Sequence, residues 1–448
     1  MNDLSGKDVL VVGLGKSGIS ASNLLIDKGA RVFAIDEHNV NDYQLNHLID
    51  KGLKVSFGNN MDKFLNHYYD FVIKSPGIPY TNKWIKFLNS RNLPIYSEIE
   101  LASWFNKSEL IGITGTNGKT TVTTLITNIL KTELNNVICA GNIGIPASDV
   151  VKDTSNDGTL VLELSSFMLK SIYKLHPHIA VITNTYTAHI DWHGSRNQYI
   201  KDKLNITLNQ NSNDYLILNW DLDEHRQLSG QFKAKIIKIS SSGNKEADCY
   251  LKNNQIYWHD ELVINLSSLT NLKTQNKDNI LDAIAVAKLK NINNRDIALA
   301  LSNFCGIKHR LQFIDTINGR QFYNDSKSTD IEATENALNN FDQKVILLAG
   351  GLDRGISFDN LVNIFKDKVK AIVLSGETKY KLKDTAIKAG IKNIILVDDI
   401  KSAVNSAYKL SNNKDIILLS PACASWDQYD NFEQRGDLFI EAVEKLKG

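Results

Sequence analysis

The sequence predicts an α/β protein of three domains with mostly parallel sheets, and three observations carry that prediction. First, 448 residues exceed what one hydrophobic core comfortably holds. Second, short apolar runs alternate with helical patterns along almost the whole chain, as in parallel strands joined by crossover helices. Third, two of those runs pass straight into glycine-rich turns that open helices, the usual place for a phosphate.

Composition narrows the partners. Hydrophobic content of 42% and charged content of 23% are those of a soluble globular protein. A formal net charge of +1 gives no electrostatic case for nucleic acid or an anionic membrane. No run approaches the ~18 apolar residues of a spanning helix, and the N-terminus, acidic at Asp3, lacks a signal-peptide pattern. Cys139, Cys249, Cys305 and Cys423 are scattered without a C-x-x-C pair, which argues against zinc and against a disulfide framework. A cytoplasmic, monomeric enzyme with small-molecule substrates is expected.

Residues 1–97 hold three strand-then-loop units, "VLVVGLG", "RVFAID" and "YDFVIKSPGIP", as in a small Rossmann-like domain. Gly13-Leu14-Gly15-Lys16-Ser17-Gly18 opens a helix, and Asp36 ends the next apolar run. In isolation this is a dinucleotide fingerprint with its ribose-binding acid, and an NAD-dependent oxidoreductase is the reading it suggests.

Residues 98–306 ask for something else. In "ELIGITGTNGKTTVTTLITNIL" an apolar strand enters Gly115-Thr116-Asn117-Gly118-Lys119-Thr120-Thr121 and then a helix. Glycines let backbone N–H groups turn toward phosphate oxygens, Lys119 adds a cation, and Thr120 or Thr121 offers a hydroxyl to Mg²⁺. Ile113 stands where the general P-loop pattern has its first glycine, yet strand, loop and helix together indicate a nucleoside triphosphate. Hydride transfer does not need that loop. Further strands are expected at "GTLVLELSS", "IAVITNTY" and "DYLILNWD", then a hairpin at "YLKNNQIYWHDELVINL" and helices around Ala283–Leu289 and Ile297–Phe304. Glu163 ends one of these strands, where Mg²⁺ finds a hard oxygen. Taken alone it reads more readily as an exposed strand-end acid, His189 as a loop residue and Lys203 as a solvated lysine.

Residues 307–448 show "KVILLAGG", "VKAIVLSG", "NIILVDD" and "DIILLSPA", each followed by a helical pattern, the plan of a second Rossmann-like domain.

"GITGTNGKTT", "GNIGIP", "ELSSF", "HIDWHGS", "YIKDKLNI" and "GIKHR" resemble, in this order, the motifs of the Mur ligases, ATP-dependent amide-forming enzymes of bacterial cell-wall synthesis. The resemblance spans essentially the whole chain. "YNDSKSTD", "LLAGGLDRG" and "LLSPACASWDQYDNFEQRGDLF" resemble the branch that adds D-glutamate to UDP-N-acetylmuramoyl-L-alanine. A sister ligase using another amino acid is the nearest alternative; the "DNPR" motif of the diamino-acid branch is absent.

What the resemblance implies is specific. Gly115 to Thr121, with Asn276 and Asn279, and with His309, Arg310, Asp325 and Lys327, correspond to the ATP contacts. Thr120, Glu163, His189 and Lys203 correspond to the magnesium ligands, Lys203 after reaction with CO₂ to a carbamate. Lys119, Glu163, His189 and Lys203 form the catalytic set. Lys16, Ser17, Asp36, Gly77 and Asn142 correspond to the UDP-sugar site, and Thr329, Arg354, Ser425, Trp426 and Phe432 to the D-glutamate site. Ala188, Met168, Gln275 and Asp330 depart from the commonest family pattern, and Arg354 stands where some members carry lysine. Ala188 replaces an acid beside the histidine, of the kind that orients a metal-bound imidazole.

Overall fold

The computed structural model describes residues 3–40, 42–58, 62–269, 276–304 and 306–447; Gln275 and Cys305 lie outside the described residues. The chain forms two compact units, Met1–Phe304 and Cys305–Gly448, and the first contains two sheets.

The first sheet is parallel: β1 (Asp8–Val12), β2 (Arg31–Asp36), β3 (Lys54–Phe57), β4 (Phe71–Lys74) and β5 (Ile95–Ser97), in the order β3-β2-β1-β4-β5. Both faces are covered, Val9 and Val11 belonging to one apolar cluster and Leu10 and Val12 to the other, as the continuous apolar runs require. The order reverses between β1 and β4, so the crevice outside their carboxyl ends is the ligand-binding position of such a sheet. The turn after β1 demands glycine: Gly13 has φ 92°, and a Cβ on Gly18 would lie 1.8 Å from the Gly13 carbonyl oxygen. β3 and β5 add to the three expected units; they are short strands at the sheet's two edges.

The second sheet has nine strands, β6 (Glu109–Thr114), β7 (Val137–Gly141), β8 (Thr159–Glu163), β9 (Ile179–Ile182), β10 (Tyr215–Asn219), β11 (Lys235–Ser240), β12 (Cys249–Lys252), β13 (Gln255–Trp258) and β14 (Glu261–Asn265). Their order is β14-β13-β12-β11-β10-β9-β6-β8-β7. β6, which feeds the phosphate loop, lies between β8 and β9. The expected hairpin is a three-stranded antiparallel meander of β12, β13 and β14. The helix Glu98–Ser103 joins the sheets through buried carboxylates. Glu100 accepts from the backbone N–H groups of Tyr173, Lys174 and Leu175 and from Trp104 Nε1 at 2.9–3.1 Å. Glu98 accepts from Ser148 N at 2.6 Å. Donors in the number Glu100 has make a buried carboxylate tolerable; Glu98, whose Oε2 has no partner, is pushed up to about 7 by burial.

The second unit has one sheet: β15 (Gln312–Ile317), β16 (Arg320–Asn324), β17 (Val345–Ala349), β18 (Val369–Leu374), β19 (Asn393–Leu396) and β20 (Ile416–Leu419), ordered β15-β16-β20-β17-β18-β19. β15 and β16 are an antiparallel hairpin absent from the sequence reading. Its turn, Asn318-Gly319, has φ values of 47° and 76°, the two left-handed residues that an Asn-Gly hairpin turn prefers. The remaining pairs are parallel, so the loops leaving β16, β20 and β17 emerge side by side.

Candidate active site

The phosphate loop is shaped by two glycines in the left-handed region. Gly115 has φ 150° and Gly118 φ 84°, and a Cβ on either would collide, with Thr183 Oγ1 at 1.9 Å and with Asn279 Oδ1 at 2.3 Å. The helix Lys119–Leu130 follows at once, its N-terminal amides adding partial positive charge. Lys119 Nζ donates to the carbonyls of Gly115 and Thr116, both at 2.8 Å. Thr120 and Thr121 are buried beneath the loop. Asn279 thus stands against the loop, and Asn276 caps its helix, Lys277–Leu289, by accepting from Asp278 N at 2.8 Å.

Residues without a motif of their own brace this loop. Asn184 Oδ1 accepts from Thr116 N and Asn117 N at 3.2 and 2.9 Å, and its Nδ2 donates to Asn117 O at 3.2 Å. Thr183 Oγ1 donates to the same oxygen at 2.6 Å. Both sit just past β9, the neighbour of β6, so adjacent strand ends explain the meeting. Their position after a buried strand was the available signal.

Glu163 closes β8 and is 1% exposed. Oε1 accepts from Asn142 Nδ2 at 2.8 Å, whereas Oε2 is buried without a hydrogen-bond partner. A buried carboxylate oxygen with no donor calls for a cation. Lys203 is also 1% exposed, unlike the solvated lysine its polar helix suggests, and its Nζ donates to Gly115 O at 2.7 Å. Burial, reinforced by Lys119 nearby, holds its ammonium well below the usual lysine range. The two lysines and the loop therefore share the Gly115 carbonyl.

His189 lies on the surface in a left-handed conformation, φ 52°, its ring 5.1 Å from Phe167 and 6.2 Å from Tyr199 between centroids. Among the described residues no three His, Cys, Asp or Glu side chains form a closed metal cage. Mg²⁺ needs no such cage: it takes one or two protein oxygens and keeps water and phosphate in its shell, and the unpartnered Glu163 Oε2 is an oxygen of that kind. Of the residues that depart from the family pattern, Met168 is a buried member of the apolar core. Asp330 accepts from Ala333 N at 2.8 Å and caps the helix Ile331–Asn339.

In the first sheet's crevice, Asp36 Oδ2 accepts from Leu14 N at 2.7 Å and Oδ1 from His38 N at 3.0 Å, fixing the glycine turn. Lys16 is exposed and Ser17 half-buried at the start of the helix Lys16–Asp27, and Gly77 is exposed on the loop after β4. Ser75 Oγ of that loop donates to Gly13 O at 2.8 Å. Lys74 was missed: buried, it donates to Ser75 O and Ile78 O at 3.0 and 2.7 Å, and burial with Lys170 nearby brings it down to about 7.

In the second unit, the loops after β16, β17 and β20 carry Asp325, Lys327 and Thr329, then Arg354, then Ser425 and Trp426. The Arg354 guanidinium lies 5.3 Å over the exposed Trp426 ring, and Lys327 Nζ 5.8 Å over Phe432. Ser425 Oγ is buried without a partner. Asp325 is buried, accepting from Leu311 N at 3.1 Å and Ser420 Oγ at 2.8 Å, and burial pushes it up to about 6. His309 is buried with Nδ1 3.0 Å from Asn324 Nδ2, and Arg310 is half-buried. Arg435, also missed, is buried and holds two of these loops, donating to Ser326 Oγ and O at 3.0 and 2.9 Å and to Cys423 O at 3.1 Å.

Comparison with known proteins gives the same assignment along the chain. The family model for the Mur ligase MurD-like N-terminal domain matches residues 7–97, that for the Mur ligase middle domain residues 113–301, and that for the Mur ligase glutamate ligase domain residues 309–423. The chain is 46% identical to the UDP-N-acetylmuramoylalanine--D-glutamate ligase of Lactiplantibacillus plantarum, over 98% of this chain and 96% of the relative. It is 45% identical to the enzyme of that description from Ligilactobacillus salivarius, over 98% and 97%. Among solved structures, the UDP-N-acetylmuramate-alanine ligase of Thermotoga maritima superimposes with a TM-score of 0.59 at 18% identity, covering 98% of this chain and 99% of that one. The MurF ligase of Thermotoga maritima in complex with ADP gives 0.58 at 17% identity, over 98% and 96%; at such identity these two attest to the fold. The chain belongs to the Mur ligase family.

Proposed function

We propose that the chain joins D-glutamate to UDP-N-acetylmuramoyl-L-alanine, converting ATP to ADP and phosphate, in peptidoglycan synthesis. The observation that carries this is 46% identity to a D-glutamate ligase sustained over 98% of the chain. An NAD-dependent oxidoreductase would leave the phosphate loop and the second unit without a purpose. The enzyme is a cytoplasmic one in this reading; no helix among the described residues is long and apolar enough to cross a membrane.

The chemistry follows from the groups present. A carboxylate is a poor electrophile, so the alanyl carboxylate attacks the γ-phosphorus of ATP and ADP leaves, giving an acyl phosphate. The amine of D-glutamate then adds to the acyl carbon, the C–N bond forms, the nitrogen gives up one proton to solvent, and phosphate departs with the electrons of the C–O bond. Little covalent work falls to the protein; placement and charge neutralisation do most of it. Lys119 and the loop amides bind the ATP phosphates, with Asn276 and Asn279 on the nucleotide. Thr120, Glu163, His189 and a carbamylated Lys203 would hold Mg²⁺, which supplies charge neutralisation to the phosphates. Lys16, Ser17, Asp36, Gly77 and Asn142 seat the UDP-sugar. Thr329, Ser425, Trp426 and Phe432 enclose D-glutamate, and Arg354 suits its side-chain carboxylate because the planar guanidinium pairs bidentately.

Phosphate release from ATP with UDP-N-acetylmuramoyl-L-alanine and each of D-glutamate, L-glutamate, L-alanine and a diamino acid tests the reading. Release is expected with D-glutamate; release only with another amino acid moves the chain to a sister branch. Carbon NMR of protein equilibrated with ¹³C-bicarbonate tests the carbamate, whose signal Lys203→Arg should abolish.

A further inference from the structure

Three segments of the first unit carry Glu163, His189 and Lys203, and one buried hydrogen-bonded chain joins those same segments. Ser166, three residues beyond Glu163, has its Oγ 3.0 Å from His193 Nε2. His193 ends the short helix Ile190–His193, whose N-cap is His189. Its Nδ1 lies 2.7 Å from Asp202 Oδ2, and Asp202 precedes Lys203 in the helix Arg196–Leu204. Asp202 also accepts from Gln198 Nε2 at 2.7 Å and Lys170 Nζ at 3.4 Å. Phe167 stacks on the His193 ring, 5.3 Å away and tilted by 14°, while meeting His189 at 5.1 Å.

One arrangement of hydrogens satisfies the chain: His193 donates its Nδ1–H to the Asp202 carboxylate, and Nε2 accepts the Ser166 hydroxyl hydrogen. Serine, histidine and aspartate in that order also make a nucleophilic triad. Here Ser166 is 2% exposed, and His193 and Asp202 are buried with it, so no substrate reaches the hydroxyl. The arrangement therefore acts by holding things in place. Ala188 leaves His189 without an adjacent acid, and this chain orders the same neighbourhood from four residues further on.

We propose that Ser166, His193 and Asp202 are positioning residues that hold the segments bearing Glu163, His189 and Lys203 in the arrangement that divalent-cation binding requires. The proposal rests on those three residues being cation ligands, as assigned above. Partners behind a metal's own ligands govern affinity by roughly 10- to 100-fold.

The test titrates Mn²⁺ onto the full-length protein with a non-hydrolysable ATP analogue, following the electron paramagnetic resonance of free Mn²⁺. Ser166→Ala and His193→Phe, the latter retaining the ring against Phe167, are expected to weaken Mn²⁺ binding about 10- to 100-fold. His193→Gln, which keeps a donor and an acceptor, should recover most of that loss, and the KM for D-glutamate should stay at the parent value. Parental Mn²⁺ affinity in Ser166→Ala overturns the proposal. So does a loss that tracks melting temperature and is not relieved by His193→Gln, the mark of a packing role. Should His193→Phe not fold, Ser166→Ala decides alone, since it removes a single hydroxyl. The readout needs no turnover, so a failure of D-glutamate ligation would not imitate either result. Intact Mn²⁺ binding in Glu163→Gln would remove the ligand assignment and this proposal with it.

Discussion

Replacing Glu163 by glutamine should make the protein more stable and nearly inactive. The substitution keeps the shape and an acceptor for Asn142 Nδ2, now at 2.8 Å from Oε1. It removes the charge on a side chain 1% exposed whose Oε2 has no hydrogen-bond partner. A buried polar atom left unsatisfied costs about 1–3 kcal/mol, more when charged. The amide remains an unsatisfied polar group, so only part of that is recovered, about 1 kcal/mol. At about 2–4 °C per kcal/mol for 150–250 residues, and less for a larger unit such as Met1–Phe304, the melting temperature of the ligand-free protein should rise by about 1–3 °C. Turnover should fall by at least ~100-fold, with the Mg²⁺ concentration for half-maximal rate displaced upward, because a neutral amide cannot replace a hard anionic ligand. Differential scanning calorimetry and phosphate release measure the two effects on one preparation. Opposite signs are the expectation, as at a functional site that gives up stability. A lowered melting temperature together with retained activity would refute the reasoning, for Oε2 would then be structural.

Gly118→Ala should raise the KM for ATP, since its Cβ would meet Asn279 Oδ1 at 2.3 Å and φ 84° costs a non-glycine residue about 1–2 kcal/mol; steady-state kinetics with varied ATP would contradict it by showing no change. Asp282 is fully buried with both carboxyl oxygens unpartnered, and burial, with Asp278 adding to it, holds its pKa well above the usual range. Its folded pKa being raised, stability is greatest below the unfolded value near 4 and is lost as pH rises toward the folded one. Asp282→Ala should therefore stabilise more at pH 8 than at pH 4, and urea unfolding at both would show a uniform gain if this is wrong. Arg354→Met should raise the KM for D-glutamate and leave that for ATP alone; equal rises in both would detach Arg354 from the amino acid.

What was legible in the sequence was local. The phosphate loop lies in seven consecutive residues, Gly115 to Thr121, so its chemistry is written next to itself. Strands buried on both faces, such as Val345–Ala349, declared themselves as unbroken apolar runs. Lys235–Ser240 did not, because lysines interrupt it, and the hairpin at Asn318-Gly319 was passed over despite its turn residues. The structural supports of the site were invisible for a physical reason: their partners are remote in the chain. Glu100 meets Tyr173 to Leu175, Asn184 meets Thr116 and Asn117, and Arg435 meets Ser326. Lys203 misled because the helix "RNQYIKDKL" is polar overall, while the side chain that matters faces inward.

The most direct test of the central claim is mass spectrometry of the nucleotide-sugar product. Purified protein is incubated with ATP, Mg²⁺, UDP-N-acetylmuramoyl-L-alanine and an equimolar mixture of D-glutamate and isotopically labelled L-glutamate. The account predicts a UDP-sugar heavier by one unlabelled glutamyl residue, with one ADP formed for each product molecule. A product carrying the label, another amino acid in its place, or ATP hydrolysis with the UDP-sugar unchanged would contradict it.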